Sequence, residues 1–134
     1  MVNAIKEAQD KFNIFESELI QDSRRVVPAI EECLIKYAFL TPNSTETAVE
    51  HMFISDPDFD GTLIKGTLAS EPEHADVESG DEIVINKAYV SDWLYIIDGK
   101  TVGGFTFKYM WGKSSKEEKK MYKKSPPFCW LELK

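Results

Sequence analysis

A chain of 134 residues with 43% hydrophobic and 29% charged side chains has the balance of a soluble globular protein and buries a core without disulfide or metal staples. Its net charge of -7 is uneven, with an acidic body up to residue 111 and a basic stretch from residue 112, so the body repels nucleic acid and favours basic partners. Cys33 and Cys129 are too few for a disulfide framework, and charges interrupt the opening "MVNAIKEAQDKF". No apolar run reaches spanning length, which points to the cytoplasm and to no membrane partner.

Ile5, Ala8, Phe12, Phe15 and Leu19 step by 3 or 4 residues and predict one helix over residues 2–20. Asp22 or Ser23 then caps a second, shorter helix through Val26, Val27, Ile30 and Leu34, where Pro28 is tolerable only in the first turn. From Ile35 the period moves toward 2. "IKYAFL", "VEHMFIS", "TLIKGTLA" and "EIVINKAYV" read as successive strands, separated by "TPNSTE", "DPDFDG" and "EPEHADVESGD".

The densest signal is "SDWLYIIDGKTVGGFTF", residues 91–107. Asp98-Gly99 predicts a two-residue type I′ hairpin turn, which pairs Ile97 with Lys100, Tyr95 with Val102 and Trp93 with Gly104. Trp93 then lies across the bare Gly104, while Gly103 faces Leu94 and lets the strand bend. Continued as a strand, the chain places Leu94, Ile96, Phe105, Phe107 and Tyr109 on one face. Trp93, Tyr95, Val102 and Thr106 take the other, so the sheet is covered by helices or curled on itself. Ser114 and Glu117 have capping-box spacing for a lysine-rich helix, read as a solvated one, that "SPP" stops before "FCWLEL" returns as an edge strand.

The order "EHMF" (50–53), "GTLAS-EP" (66–72), "GD" (80–81), "DW" (92–93) and "GGFT" (103–106) resembles the YegJ-like family of small bacterial proteins of unknown function, over about residues 23–122. Phe53 stands where that family has Trp, and Ser70 where it has Asn. The first 20 residues lie outside the resemblance, which implies no established reaction or cofactor.

Candidate chemistry is sparse. Asp56, Asp58, Asp60 and Gly61 imitate the start of a calcium loop, but Thr67 stands where a bidentate Glu is needed, so the stretch reads as a solvated Asx turn. His51 and His74 have no second histidine at metal-ligand spacing, and Glu50 and His51 point to opposite faces of a strand. Cys33 follows two glutamates that blunt its thiolate. Asp92, beside Trp93, is either a buried acid or a residue that holds backbone amides. No nucleophile elbow and no phosphate loop is present.

These patterns predict an α+β domain spanning 1–134, with a helical front over 1–34, a strongly bent antiparallel sheet of five or six strands over 35–111, and a basic helix with a terminal strand over 112–134. They predict two N-terminal helices and one C-terminal helix. The expected function is non-catalytic binding, and within it a bacterial immunity protein that neutralises a basic toxin domain. The expected contact residues are Asp56, Asp58, Phe59, Asp60, Glu71, Glu73 and Asp76, with Glu50, His51, Asp92, Trp93, Gly103 and Gly104 as structural motif residues. No metal and no cofactor is expected. The competing class is a small-ligand binder or enzyme built on Glu50, His51, Glu71, Asp92 and Trp93. A third is a nucleic-acid module using the lysine-rich helix.

Overall fold

A computed structural model describes residues 1–41 and 49–131. The helical front is two helices, α1 (Val2–Asp10) and α2 (Phe12–Ser23), broken at Lys11 where one helix was expected. Among the described residues six strands follow: β1 (Glu32–Leu40), β2 (Val49–Phe59), β3 (Ile64–Leu68), β4 (Glu82–Val84), β5 (Val90–Ile97) and β6 (Lys100–Gly103). After them come α3 (Phe105–Lys113), α4 (Lys116–Tyr122) and a 3-10 turn at Phe128–Trp130. The sheet is open and antiparallel, in the order β4-β3-β2-β1-β5-β6.

The apolar stripe of the front does bury: Ala8, Phe12, Phe15 and Leu19 pack on the sheet face that carries Ile35, Ile54, Trp93 and Tyr95. The opposite face is covered in part by the C-terminal helices, through Leu94, Phe107, Phe128 and Leu131. Helices on both faces explain why both faces of the hairpin read as apolar.

Three of the expectations that fail do so where a contact outside the local pattern outweighs it. The second helix, through Val26 to Leu34, does not form. Asp22 Oδ1 instead accepts the Ala29 amide at 2.7 Å and the Ile30 amide at 3.3 Å, which wraps residues 24–31 around it, and Leu34 enters β1. The hairpin pairs as expected at Ile97–Lys100, Tyr95–Val102 and Leu94–Gly103, with Asp98 and Gly99 both at positive φ. It ends at Gly103, however, and Phe105 starts a helix rather than continuing the strand. The glycine under the indole is therefore Gly103. A Cβ there would sit 2.7 Å from the Trp93 ring, whereas a Cβ on Gly104 would meet Leu131.

The capping box of the last helix is Ser115 with Glu118, one residue later than the Ser114 and Glu117 pair. The expected terminal strand begins instead as the 3-10 turn at Phe128–Trp130, and its end, residues 132–134, lies outside the described residues, as does most of the "TPNSTE" turn. Against the expected boundaries, strand begins at Glu32, before residue 35, and the sheet ends before α3 rather than at 111.

Candidate functional site

Lys36 is the one charge inside the apolar run of β1, and register places it between Phe53 of β2 and Asp92 of β5. His51, two residues before Phe53, shares that face. Its Nδ1 shares a hydrogen bond of 2.8 Å with Ser91 Oγ. Lys36 Nζ donates to Thr106 Oγ1 at 3.4 Å, and that hydroxyl donates to Asp92 Oδ2 at 2.6 Å. The result is a chain of polar groups between the sheet and α3, with Ser91, Asp92 and Thr106 buried.

Asp92 is fully committed. Oδ1 accepts the Trp93 and Phe105 amides at 2.8 and 3.1 Å, and Oδ2 accepts the Thr106 amide at 2.8 Å. It caps the N-terminus of α3 from the neighbouring strand, which Gly104 has no side chain to do. Burial pushes its pKa up against the four donors that favour the anion. Burial pushes the Lys36 amine down while Asp92 pulls it up, and burial with Lys36 nearby lowers the pKa of His51.

Glu50 is committed as well. Its carboxylate accepts the amides of Glu73, His74 and Ala75 at 2.7, 3.0 and 2.9 Å, and those bonds hold its pKa below the usual range. It anchors the loop that carries Glu71, Glu73 and Asp76. Trp93 points away from Asp92 to the other side of the sheet, where its Nε1 donates to the Ala8 carbonyl at 2.8 Å. The five residues Glu50, His51, Glu71, Asp92 and Trp93 are thus not gathered around one cavity.

A second region lies at the far end of β2. A groove of about 470 Å³ is lined by Leu19, Ile30, Cys33 and Pro57 beneath Asp22, Glu31, Glu32, Asp56 and Asp58. An adjoining one of about 320 Å³ shares Asp56 and Asp58 and adds Asp60, Lys65 and Glu82. The cations there are already paired, Arg25 with Glu18 and Asp22, and Lys65 with Asp60. Asp60 also accepts the Thr62 and Leu63 amides, the Asx turn read from the sequence. Burial first, then Asp56, pushes the Cys33 thiol up to about 12. Phe59 is half-buried against the core and lines a third groove, with Phe12, Ile20 and Leu63, instead of standing out as an anchor.

The expected contact residues fall in two places. Asp56, Asp58 and Asp60 come together near one end of β2, whereas Glu73 and Asp76 sit in the loop held by Glu50 near its other end. Sequence reasoning missed Lys36, Ser91 and Thr106; a lone charge in an apolar strand was the available signal for the first. Among the described residues no group of three or more His, Cys, Asp or Glu is placed to hold a metal ion, and no helix is long and apolar enough to cross a membrane.

A family described as "Uncharacterized protein conserved in bacteria (DUF2314)" matches residues 1–128, so the N-terminal helices fall within it although the motif resemblance began near residue 23. A protein of Neisseria meningitidis serogroup B that carries an ankyrin-repeat name is 34% identical over 117 residues, which are 87% of this chain and 46% of that protein. The uncharacterized protein YegJ of Escherichia coli K12 is 27% identical over 108 residues, 76% of this chain and 71% of its own length. The chain thus spans about half the length of the Neisseria relative. No solved structure gives a significant match.

Proposed function

We propose that this chain, which belongs to the DUF2314 family of proteins conserved in bacteria, is a non-catalytic binding protein that presents its acidic end to a basic protein partner. The observation that carries this reading is the pair of adjoining grooves that share Asp56 and Asp58, where carboxylates outnumber cations and the cations are already paired. Such a surface steers a basic partner toward it. The commitment of Glu50 and Asp92 to backbone amides supports the non-catalytic half, because neither is left to move a proton. The finer form of the reading is a cytoplasmic immunity protein whose partner is a basic toxin domain.

The test is isolation of the partner from the native host, followed by association kinetics. Association slows as salt rises, and Asp56→Lys/Asp58→Lys weakens binding and protection without unfolding the chain, Asp60 being left in place because it holds the 60–63 turn. A double variant that binds as the parent does sinks the acidic end as the interface. A host extract with no protein partner, together with a metabolite that raises Tm, favours a ligand-binding reading. One observation supports that second reading: the His51–Ser91 hydrogen bond beside Lys36, which His51→Ala then links to ligand affinity.

A further inference from the structure

The segment expected to bury Val26 and Val27 in a helix does the reverse. Val26 is 100% and Val27 77% exposed, on the loop of residues 24–31 that borders the larger acidic groove through Arg25, Pro28, Ile30 and Glu31. This exposure is imposed by a held loop. Arg25 donates to Asp22 at 2.7 Å and to Glu18 at 2.8 Å, and Asp22 also takes the Ala29 and Ile30 amides. The Glu31 amide donates to the Ile96 carbonyl at 2.8 Å, which pins the far end to β5. A loop tied at both ends presents two adjacent branched apolar side chains to water beside a groove with an apolar floor and a carboxylate rim.

We propose that the Val26–Val27 knob and this groove form one docking surface for a basic, partly apolar segment of a partner protein. The inference rests on the acidic-end reading above and adds to it where the partner sits and what it carries. Apolar side chains of the segment cover the two valines. A neighbouring arginine or lysine enters the groove, with its stem along Leu19, Ile30 and Pro57 and its head among Glu32, Asp56 and Asp58. An apolar centre beside a charged rim is the usual composition of a protein interface, and a pre-ordered loop lowers the entropy lost on docking.

The test uses two synthetic peptides of equal length and charge, arginines interleaved with leucines in one and with serines in the other, titrated against the whole chain. The leucine peptide binds at least about tenfold more tightly, a floor for covering two branched side chains once the ordering cost of the peptide is taken off. Val26→Ser/Val27→Ser removes that margin and leaves Tm at the parent value, since the exposed valines contribute little to the core. Glu32→Lys/Asp58→Lys weakens both peptides. Equal binding of the two peptides by the parent, or a margin that survives in the valine variant, overturns this inference and leaves the acidic-end reading standing. Binding of neither peptide at low salt overturns both. Self-association of the parent that the valine variant loses would make a second copy the occupant and overturn the basic segment.

Discussion

Gly103 and Gly104 are adjacent, both at positive φ, and their neighbours set different costs for a side chain. A Cβ on Gly103 runs into the Trp93 carbonyl oxygen and the indole ring, both held by the sheet and by the Ala8 hydrogen bond. A Cβ on Gly104 meets a terminal methyl of Leu131 at 2.8 Å, which can swing aside. Gly103→Ala therefore costs about 3 kcal/mol or more, and Gly104→Ala about 1–2 kcal/mol, chiefly from backbone conformation. Urea unfolding of the two variants checks the ranking. The reverse order would return the indole to Gly104, where the hairpin pattern alone had put it.

Helix α3 depends on a carboxylate outside it. Its first turn has no side-chain cap of its own, and Asp92 takes the Phe105 and Thr106 amides from β5. Asp92→Ala leaves those buried donors without an acceptor and destabilises by about 3 kcal/mol. Asp92→Asn keeps one acceptor oxygen and turns an amide N–H₂ toward the donors of Thr106, for a loss of about 2 kcal/mol. Denaturant melts measure both, and hydrogen exchange at Phe105 and Thr106 should quicken in each. Unchanged exchange would mean that α3 is held by the packing of Phe107 on Phe53 and Phe128 and not by its cap.

For the molecule as a whole, sensitivity to acid follows from carboxylates that hold backbone. The amides of Glu73, Ala75 and His74 lower the pKa of Glu50, and those of Leu63 and Thr62 lower that of Asp60. A carboxylate with a depressed folded pKa contributes stability that is fully present above its unfolded value, near pH 4, and lost as pH falls through the folded one. Asp92, raised by burial, runs the opposite way: its contribution is full below the unfolded value and fades as pH rises through the folded one. Glu50→Gln lowers Tm at pH 7, and its deficit against the parent closes as pH falls below about 4. A deficit independent of pH would show that the charge of Glu50 is not what secures the 73–75 loop.

Features that depend on a residue and its close neighbours were legible from sequence: the Asp98-Gly99 turn and its register, the Asp60 turn, the opposed directions of Glu50 and His51, and the buried stripe from Ala8 to Leu19. Turn geometry, strand alternation and helical spacing act over a few residues, so the pattern carries them. The start of α3, the loop around Asp22, the glycine beneath Trp93 and the separation of the acidic residues into two places were not legible. Each depends on a bond or contact between residues that alternation and period do not connect. Asp92 reaches 13 and 14 positions ahead and Asp22 seven and eight, while Glu50 reaches 23 to 25 positions to its loop. The partners of Asp92 and Glu50 are brought together by the sheet, those of Asp22 by the loop closing back on α2, and the energy of satisfying amides then outweighs local propensity, as at Val26 and Val27, which the helical pattern would have buried and the folded chain leaves in water.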